Sequence, residues 1–414
     1  MTYLARLVDR HLDELLVDLP AVLLVGPRGC GKTTTAERRA HGTLWLARRA
    51  VAAAVEADPD AALAGLDRPT LIDEWQMVPD VLGAVKRAVD DGAEPGSFLI
   101  TGSVRADLTA AGWPMTARVV RVPMWGLTGR ETRGAVDAPS FFDRLLDAPH
   151  ALRPAAPVLD VRDYVDLALA SGFPRLVRST SDRSRRAFLA SYVDELVLRD
   201  VALAGADREP IRLRRYLRAV AASSAGTPDL KTLVDAAGID RRTASAYDDL
   251  LELLVVTERV PAWTSNRLSR LVRLPKRYVI EPALLGPLLG IDARAVMRDG
   301  DLLGRVIDTF VAAQLRPELS LSSQPAQLYH LRDTNGRREI DLLVELANGD
   351  IVGIEIKATA APRKEDARHL RWLRDQLGDR FAAGVVFHTG PSVFRHEPDI
   401  HYLPISTLWS TARP

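Results

Sequence analysis

The sequence predicts an α/β protein whose front part contains a parallel sheet wrapped by helices. Between residues 20 and 122, five short apolar segments alternate with segments of helical length: "AVLLV", "TLWLA", "TLIDE", "FLITG" and "RVVRV". Such alternation is typical of parallel sheets. The first segment runs into "GPRGCGKTT", the third into "DEWQ" and the fourth into "TGS". Polar groups therefore follow neighbouring strands at their carboxyl ends, where open α/β sheets bind ligands.

The composition limits the class of protein. A chain of 414 residues with 47% hydrophobic content is long enough for two or three domains. Its 55 Lys and Arg nearly balance its 54 Asp and Glu, so any nucleic-acid binding has to be local. A single cysteine, Cys30, excludes an internal disulfide, and no apolar run reaches the roughly 18 residues of a membrane span. We expect a cytoplasmic protein that does not contact membranes.

The segment after the first strand matches the phosphate-binding motif G-x-x-x-x-G-K-[ST] and is expected to open a helix. Glycines let backbone N–H groups close around phosphate oxygens, Lys32 reaches the β- and γ-phosphates, and the Thr33 hydroxyl is a ligand for Mg²⁺. We therefore expect ATP and Mg²⁺ as cofactors. The predicted ATP-binding residues are Gly26, Pro27, Arg28, Gly29, Cys30, Gly31, Lys32, Thr33 and Thr34.

The end of the third strand supplies the acids that ATP hydrolysis requires. Asp73 is predicted to join Thr33 at the Mg²⁺ ion, and Glu74 to polarise the attacking water. We expect their strand beside the strand that precedes the phosphate-binding loop. The alternative is a pair of solvated carboxylates. On the fourth strand, Thr101 and the predicted catalytic residue Ser103 are candidate sensors of the γ-phosphate, or ordinary loop hydroxyls.

An arginine that stabilises the transition state is also expected. Arg118, Arg130 and Arg175 are candidates, in cis or from a neighbouring chain, and the sequence does not choose among them. Each is otherwise a plain surface arginine.

Residues 229–253 predict a helix-turn-helix, with Gly238 as helix stop and Asp240 as N-cap of the second helix. That helix carries Arg241, Arg242, Thr243 and Ser245 near its N-terminus, where a recognition helix meets DNA. The alternative is a packing module with a solvated face, which the acids Asp248, Asp249 and Glu252 favour. A further segment is interpreted as a basic stripe or as a strand with a polar face: Arg267, Arg270, Arg273, Lys276 and Arg277.

Near the end of the chain, "GRREIDLLVELANGDIVGIEIKAT" predicts a β-hairpin. A two-residue turn at Asn348-Gly349 would place Asp341 and Glu355 on opposite faces, whereas a three-residue loop beginning at Ala347 would set Asp341 opposite Glu355. The second register also aligns the apolar residues, and it predicts a Mg²⁺ site formed by Asp341 and Glu355, with Lys357 as a catalytic cation. The alternatives are solvated strand charges, or a site that binds without cutting.

Taken together, "GPRGCGKTT", "LIDEWQ", "LITGS", "SGFPRLV" and "EIDLLVE…IEIKAT" resemble, in order, the prokaryotic AAA-type ATPases that end in a restriction-endonuclease-like domain of unknown function. The resemblance implies an AAA+ P-loop core, then a helical lid, a winged helix and a PD-(D/E)xK nuclease-like α/β domain. Relatives often have glycine at Ala117 and at Ser171, and a glutamate at Asp308. The expected domains are 1–130 (ATPase core), 131–205 (lid), 206–289 (winged helix) and 290–414 (nuclease-like).

The leading hypothesis from the sequence is an ATPase that couples nucleotide turnover to a nucleic-acid-facing winged helix and a metal-dependent nuclease-like tail, with ATP and DNA as partners. The competing hypothesis is an ATP-dependent regulatory or scaffolding protein that acts on protein partners and carries an inactive tail. A homo-oligomer is compatible with either hypothesis.

Overall fold

The computed structural model describes residues 3–102, 114–200, 209–265, 273–333 and 337–410. The chain divides into two compact units. The first comprises Met1–Leu127, Phe173–Arg175 and Leu251–Val255, and the second comprises Thr128–Gly172, Leu176–Leu250 and Val256–Pro414.

The first unit is built on a five-stranded parallel sheet in the order β2-β3-β4-β1-β5. The strands are β1 Ala21–Val25, β2 Gly42–Trp45, β3 Thr70–Asp73, β4 Phe98–Gly102 and β5 Val120–Pro123. The five predicted strands are confirmed. The expectation that the strand ending in Asp73 adjoins the strand before the phosphate-binding loop is wrong, because β4 pairs with both β1 and β3 and lies between them.

Helices cover this sheet, which explains why its strands are nearly continuous apolar runs. Side chains alternate between the faces, so Leu23 and Ile100 join one buried cluster while Leu24 and Leu99 join another. The helices of this unit are α1 Val8–Asp18, α2 Lys32–Glu37, α3 Arg49–Ala57, α4 Pro59–Ala64 and α5 Val81–Asp90.

After the sheet the chain becomes helical. Three of its helices begin with polar N-caps, Thr128, Ser140 and Asp160, each of which accepts a hydrogen bond from the first turn of its helix. The helices of this segment are α6 Gly129–Thr132, α7 Phe141–Asp147, α8 Val161–Ala170, α9 Pro174–Val177 and α10 Asp182–Glu195.

Three helices and a hairpin follow, and they include the predicted helix-turn-helix. They are α11 Pro210–Ala222, α12 Leu230–Ala237, α13 Arg241–Leu253 and the antiparallel strands β6 Thr257–Val260 and β7 Lys276–Val279. Gly238 ends α12 in the left-handed conformation, with φ +64°. The Asp240 carboxylate accepts a hydrogen bond from Thr243 N at 2.9 Å, which confirms its predicted capping role.

The C-terminal part combines one long helix with a mixed sheet. After the short helices α14 Leu285–Leu289 and α15 Ala293–Arg298, the helix α16 Gly300–Leu321 precedes six strands in the order β12-β13-β11-β10-β9-β8. The bounds are β8 Ala326–Arg332, β9 Glu339–Leu346, β10 Ile351–Lys357, α17 Arg368–Leu377, β11 Phe381–His388, β12 Phe394–Arg395 and β13 Ile400–Pro404. Strands β8, β9 and β10 are antiparallel, and the crossover through α17 makes β10 and β11 parallel.

Among the described residues, no helix has both the length and the apolar character that a membrane span requires.

Candidate functional site

The phosphate-binding loop lies between β1 and α2, as predicted. Gly29 and Gly31 have φ of +79° and +105°, a conformation that side chains disfavour. A Cβ on Gly26 would lie 1.9 Å from Met124 O, so only glycine permits this close approach of two backbone segments. The glycines of the motif are therefore required by the backbone path itself.

Lys32 is buried at the start of α2, with 6% of its surface exposed. Its ammonium donates hydrogen bonds to Gly26 O at 2.9 Å and to Pro27 O at 3.0 Å, so it lies across the loop that it is predicted to serve. Phosphate oxygens are alternative acceptors for the same ammonium.

Asp73 lies at the centre of a group of oxygen atoms beside the loop. Thr33 Oγ1 donates to Asp73 Oδ1 at 2.8 Å, and Thr101 Oγ1 donates to the same oxygen at 2.6 Å. The structure thus brings together the predicted Mg²⁺ ligands Thr33 and Asp73, although β3 and β1 are not neighbours. Hydroxyl and carboxylate oxygens are the hard ligands that Mg²⁺ takes beside nucleotide phosphates, so this donor set fits the ion.

Glu74 follows Asp73 in the left-handed conformation, with φ +57° and ψ +49°. Its carboxylate accepts a hydrogen bond from Gln76 Nε2. A non-glycine residue in this region is uncommon and is found most often where function constrains the backbone. The other predicted catalytic residue of this site, Ser103, lies outside the described residues.

Arg6 is a component of this site that the sequence analysis missed. Its guanidinium donates to Cys30 O at 2.7 Å and to Trp125 O at 2.6 Å, and the residue is 4% exposed. The contacts join positions 24 and 119 residues apart, and no local motif marks the arginine.

The three candidate arginines have different environments. Arg118 pairs with Asp90 on the surface at 2.5 Å. Arg130 is not a surface arginine, because it is 1% exposed and forms an ion pair with Glu318 at 2.8 Å. Arg175 is exposed. Its neighbour Pro174 lies close to the loop, since a Cβ on Gly31 would be 3.4 Å from Pro174 Cγ.

The C-terminal hairpin has the register that the three-residue loop predicts. Leu346 N donates to Asp350 O at 2.9 Å, and Gly349 has φ +90°. Strands β9 and β10 pair Leu342 with Ile354, which places Asp341 opposite Glu355. The two-residue alternative is therefore wrong.

Asp341, Glu355 and Lys357 lie together at the end of this hairpin. Lys357 Nζ donates to Glu355 Oε2 at 2.6 Å and is 3.9 Å from Asp341 Oδ2. Asp341 Oδ2 also accepts a hydrogen bond from Ile356 N at 2.8 Å. His369 Nδ1 lies 3.7 Å from Glu355 Oε1.

A second lysine reaches these acids from β7. Lys276 Nζ donates to Asp308 Oδ2 at 2.7 Å, to Asp341 O at 3.1 Å and to Asp341 Oδ1 at 3.4 Å. Tyr278 OH donates to the remaining oxygen, Asp308 Oδ1, at 2.8 Å. We call Asp308, Asp341, Glu355, Lys276 and Lys357 the charged cluster.

The interpretation of residues 267–277 as a basic stripe is wrong for two members. Lys276 is 1% exposed and belongs to the charged cluster, while Arg277 is 7% exposed and pairs with Asp248 at 2.6 Å. Both are buried because β7 packs inside the unit, where their charges need partners. Arg267 and Arg270 lie outside the described residues.

The acids of the charged cluster have shifted pKa values. Burial raises the pKa of Asp308 to about 6, although Lys276 opposes the shift. Burial and the neighbouring Asp341 raise the pKa of Glu355. For Asp341, burial is outweighed by Lys276, Lys357 and the Ile356 N–H, so its pKa is lowered. Burial disfavours the Lys276 ammonium, but Asp308 and the other anionic partners raise its pKa well above its ordinary value.

These acids fit a divalent metal poorly. Within the described ranges, no group of three or more His, Cys, Asp and Glu residues could hold a metal ion. Both Asp308 oxygens and both Asp341 oxygens accept hydrogen bonds from the protein itself. The predicted ligands Asp341 and Glu355 are thus adjacent, but their charges are already neutralised in part by lysines.

Helix α13 presents the predicted recognition residues unevenly. Arg241, Arg242 and Ser245 are exposed near its N-terminus, whereas the Thr243 hydroxyl donates to Asp240 Oδ2 at 2.6 Å. Asp248, one of the acids that favoured the packing role, is buried and accepts a hydrogen bond from Tyr216 OH at 2.6 Å.

Family models match three parts of the chain. A model described as an AAA domain matches residues 18–133, and two domains of unknown function, DUF8612 and DUF4143, match residues 161–295 and 303–408. The AAA match, the loop on β1 and the parallel sheet together establish a P-loop NTPase fold in the front part of the chain.

Similar proteins are found among curated sequences and solved structures. The uncharacterized proteins Mb2031c of Mycobacterium bovis and Rv2008c of Mycobacterium tuberculosis are each 32% identical over 406 residues, which is 97% of this chain and 83% of theirs. The Walker-type ATPase paby2304 of Pyrococcus abyssi has a TM-score of 0.40 and 14% identity, covering 68% of this chain and 94% of its own. On the evidence of the mycobacterial sequences, the chain belongs to the family that contains these two proteins.

Proposed function

We propose that the chain hydrolyses ATP at the phosphate-binding loop. The observation that carries the proposal is the convergence of Thr33 and Thr101 on Asp73 beside the buried Lys32. Bound Mg²⁺, held by Thr33 and Asp73, would neutralise charge on the phosphates.

The remaining roles belong to the chain's own groups. The backbone N–H groups of residues 28–33 cradle the phosphates, and Lys32 transfers its hydrogen bonds from the loop carbonyls to phosphate oxygens. Glu74 orients and deprotonates the attacking water, while Gln76 fixes the position of its carboxylate. Arg175 is the arginine that stabilises transition-state charge, because it is exposed and follows Pro174 at the loop.

Two substitutions test hydrolysis. Lys32→Ala should abolish ATP binding and turnover, and Glu74→Gln should abolish turnover while the affinity for ATP is kept. The matched controls are Lys86→Ala and Glu56→Gln, at exposed or half-exposed positions of the same unit. Turnover at the wild-type rate in either test variant would overturn the assignment.

Arg175 has its own test. Arg175→Ala should lower kcat by about 10³-fold or more with little change in ATP affinity, as expected for a transition-state arginine. The control is Arg183→Ala, an exposed arginine on α10. Equal kcat values for the two variants would remove Arg175 from the mechanism.

For the middle module we propose a winged helix that contacts nucleic acid. The proposal is supported by the order α11-α12-α13-β6-β7 and by the exposed Arg241 and Arg242 at the start of α13. Replacing both arginines by alanine should weaken DNA binding in a fluorescence anisotropy titration and reduce its salt dependence. The same double change at Arg215 and Arg218, exposed on α11, should not. Identical titrations would favour the packing role.

For the C-terminal domain we propose a nuclease-like fold that does not cleave nucleic acid. The path α16-β8-β9-β10-α17-β11 and the juxtaposed Asp341, Glu355 and Lys357 support the fold, and the contacts of Lys276 favour the inactive tail. Purified protein with Mg²⁺ or Mn²⁺, ATP and plasmid should give no nicking. Nicking that Lys357→Ala abolishes would instead establish the nuclease.

A further inference from the structure

The position of Lys276 within the charged cluster resembles that of a bound cation. Its ammonium contacts three oxygen atoms from two acids: Asp308 Oδ2, Asp341 Oδ1 and Asp341 O, at 2.7, 3.4 and 3.1 Å. An ammonium has three donors, and here each has an acceptor. Carboxylate and carbonyl oxygens are also the ligands that Mg²⁺ and Mn²⁺ prefer.

The surrounding contacts hold this arrangement in place. Tyr278, two residues along β7, donates to the other oxygen of Asp308, so one strand supplies both donors to this carboxylate. The Lys276 ammonium also lies 5.6 Å from the centroid of the Tyr278 ring, where the ring face favours a cation. The lysine is almost completely buried, at 1% exposure, so the pairing is not a transient surface contact.

Charge supports the same reading. Asp308, Asp341 and Glu355 contribute three negative charges, and Lys276 and Lys357 contribute two positive charges, which leaves one negative charge. Without Lys276 the cluster would carry two, and Asp308 would be a buried carboxylate without an opposite charge. Such a buried charge is strongly unfavourable, so the carboxylate either takes up a proton or binds a replacement cation.

Solvent ions have a route to these acids. A cleft of about 600 Å³ is lined by Asp308, Asp341 and Lys357 on one side and by the Gly226–Pro228 turn on another. A cation could therefore arrive from solvent without unfolding the domain.

We propose that the Lys276 ammonium takes the place of a divalent cation between Asp308 and Asp341, and that removing this lysine converts the position into a Mg²⁺ or Mn²⁺ site. In the native chain, the Lys276 side chain therefore occupies the position that a metal ion would take in the C-terminal domain. This inference rests on the proposal that the C-terminal domain does not cleave nucleic acid, and it explains that inactivity by the missing metal ion.

The test is the metal stoichiometry of the full, nucleotide-free chain, measured by the loss of the free Mn²⁺ signal in electron paramagnetic resonance. Lys276→Met should gain one Mn²⁺ per chain, bound at least tenfold more tightly than any ion that the wild type takes at this position. Lys276→Arg, which keeps the charge, should gain none. Adding Asp341→Asn to Lys276→Met should remove the gained ion. Any Mn²⁺ bound at Asp73 is present in the wild type and in every variant, so it does not affect the difference between them.

Two results would overturn the proposal: a folded Lys276→Met variant that gains no ion, or a wild-type chain with a Mn²⁺ site that Asp341→Asn alone abolishes. Circular dichroism and thermal melting establish folding. If Lys276→Met does not fold, Lys276→Gln replaces it in the same measurement. The readout is separate from plasmid nicking: cleavage by the wild type would refute the inactive tail, whereas missing metal uptake in the variant would refute only the role of Lys276.

Discussion

Replacing Arg6 by alanine should weaken nucleotide binding although Arg6 belongs to no phosphate-binding motif. The guanidinium donates to Cys30 O inside the loop and to Trp125 O after β5, at 2.7 and 2.6 Å. Both bonds are short and the arginine is 4% exposed, so water does not compete effectively with it. Arg6 therefore ties the loop, through the Cys30 carbonyl, to the segment after β5.

The size of the effect follows from these two contacts. A hydrogen bond from a charged group contributes about 1.5–3 kcal/mol, so two contribute about 3 kcal/mol even at the lower limit. If the loop adopts its ATP-binding conformation only when Arg6 makes these bonds, their loss in Arg6→Ala lowers the affinity for ATP roughly 100-fold, at about 1.4 kcal/mol for each factor of ten. Arg6→Lys keeps the charge but loses the forked geometry, so it should lie between alanine and wild type.

Titration with a fluorescent ATP analogue measures this affinity. The control is Arg10→Ala, four residues further along the chain on α1, whose side chain is 87% exposed and pairs only with Glu14 on the surface in the described contacts. A folded Arg6→Ala variant whose Kd for the ATP analogue lies within twofold of the wild-type value would refute the reasoning, because the loop would then keep its conformation without the Arg6 hydrogen bonds.

Three further predictions concern stability. Burial raises the pKa of Glu281 to about 7 against an ordinary 4.5, so the folded protein keeps a proton that the unfolded chain releases. The free energy of unfolding should therefore fall as pH rises from about 4.5 to 7. Glu281→Gln should remove that pH dependence in urea titrations at pH 5 and 8, and an unchanged dependence would exclude Glu281 as its source. Glu318→Gln should lower the free energy of unfolding by about 3–5 kcal/mol, because it leaves Arg130 buried without an opposite charge; a melting temperature equal to that of the wild type would contradict this. Gly349→Ala should cost about 1 kcal/mol, because φ is +90° there, and a neutral effect in the same titration would mean that the loop tolerates a side chain.

The parts of the fold that local sequence encodes were predictable. The five strands of the first sheet, the cap at Asp240 and the stop at Gly238 depend on residues within a few positions of each other. The order of strands in the sheet does not depend on such neighbours. The expectation that β3 lies beside β1 is wrong because β4 lies between them. Nothing in the residues around Asp73 records which strand will be its neighbour.

The nucleotide site was predictable for a similar reason. Its loop, its lysine and its hydroxyl lie on consecutive residues, and a motif of that length is visible without a structure. Arg6 was not predictable, because its role depends on contacts with residues 24 and 119 positions away, and a single arginine just before a helix has many ordinary uses.

The charged cluster has one feature that the local sequence predicts and one that depends on distant residues. Its hairpin register followed from burial and from one glycine, and the structure confirmed it. That register alone suggested a metal site, because Asp341 and Glu355 face each other. Lys276, 65 residues before Asp341 in the chain, changes the chemistry by supplying the positive charge itself. A local pattern can place two carboxylates side by side, but whether they bind a metal depends on every charge that the fold brings to them.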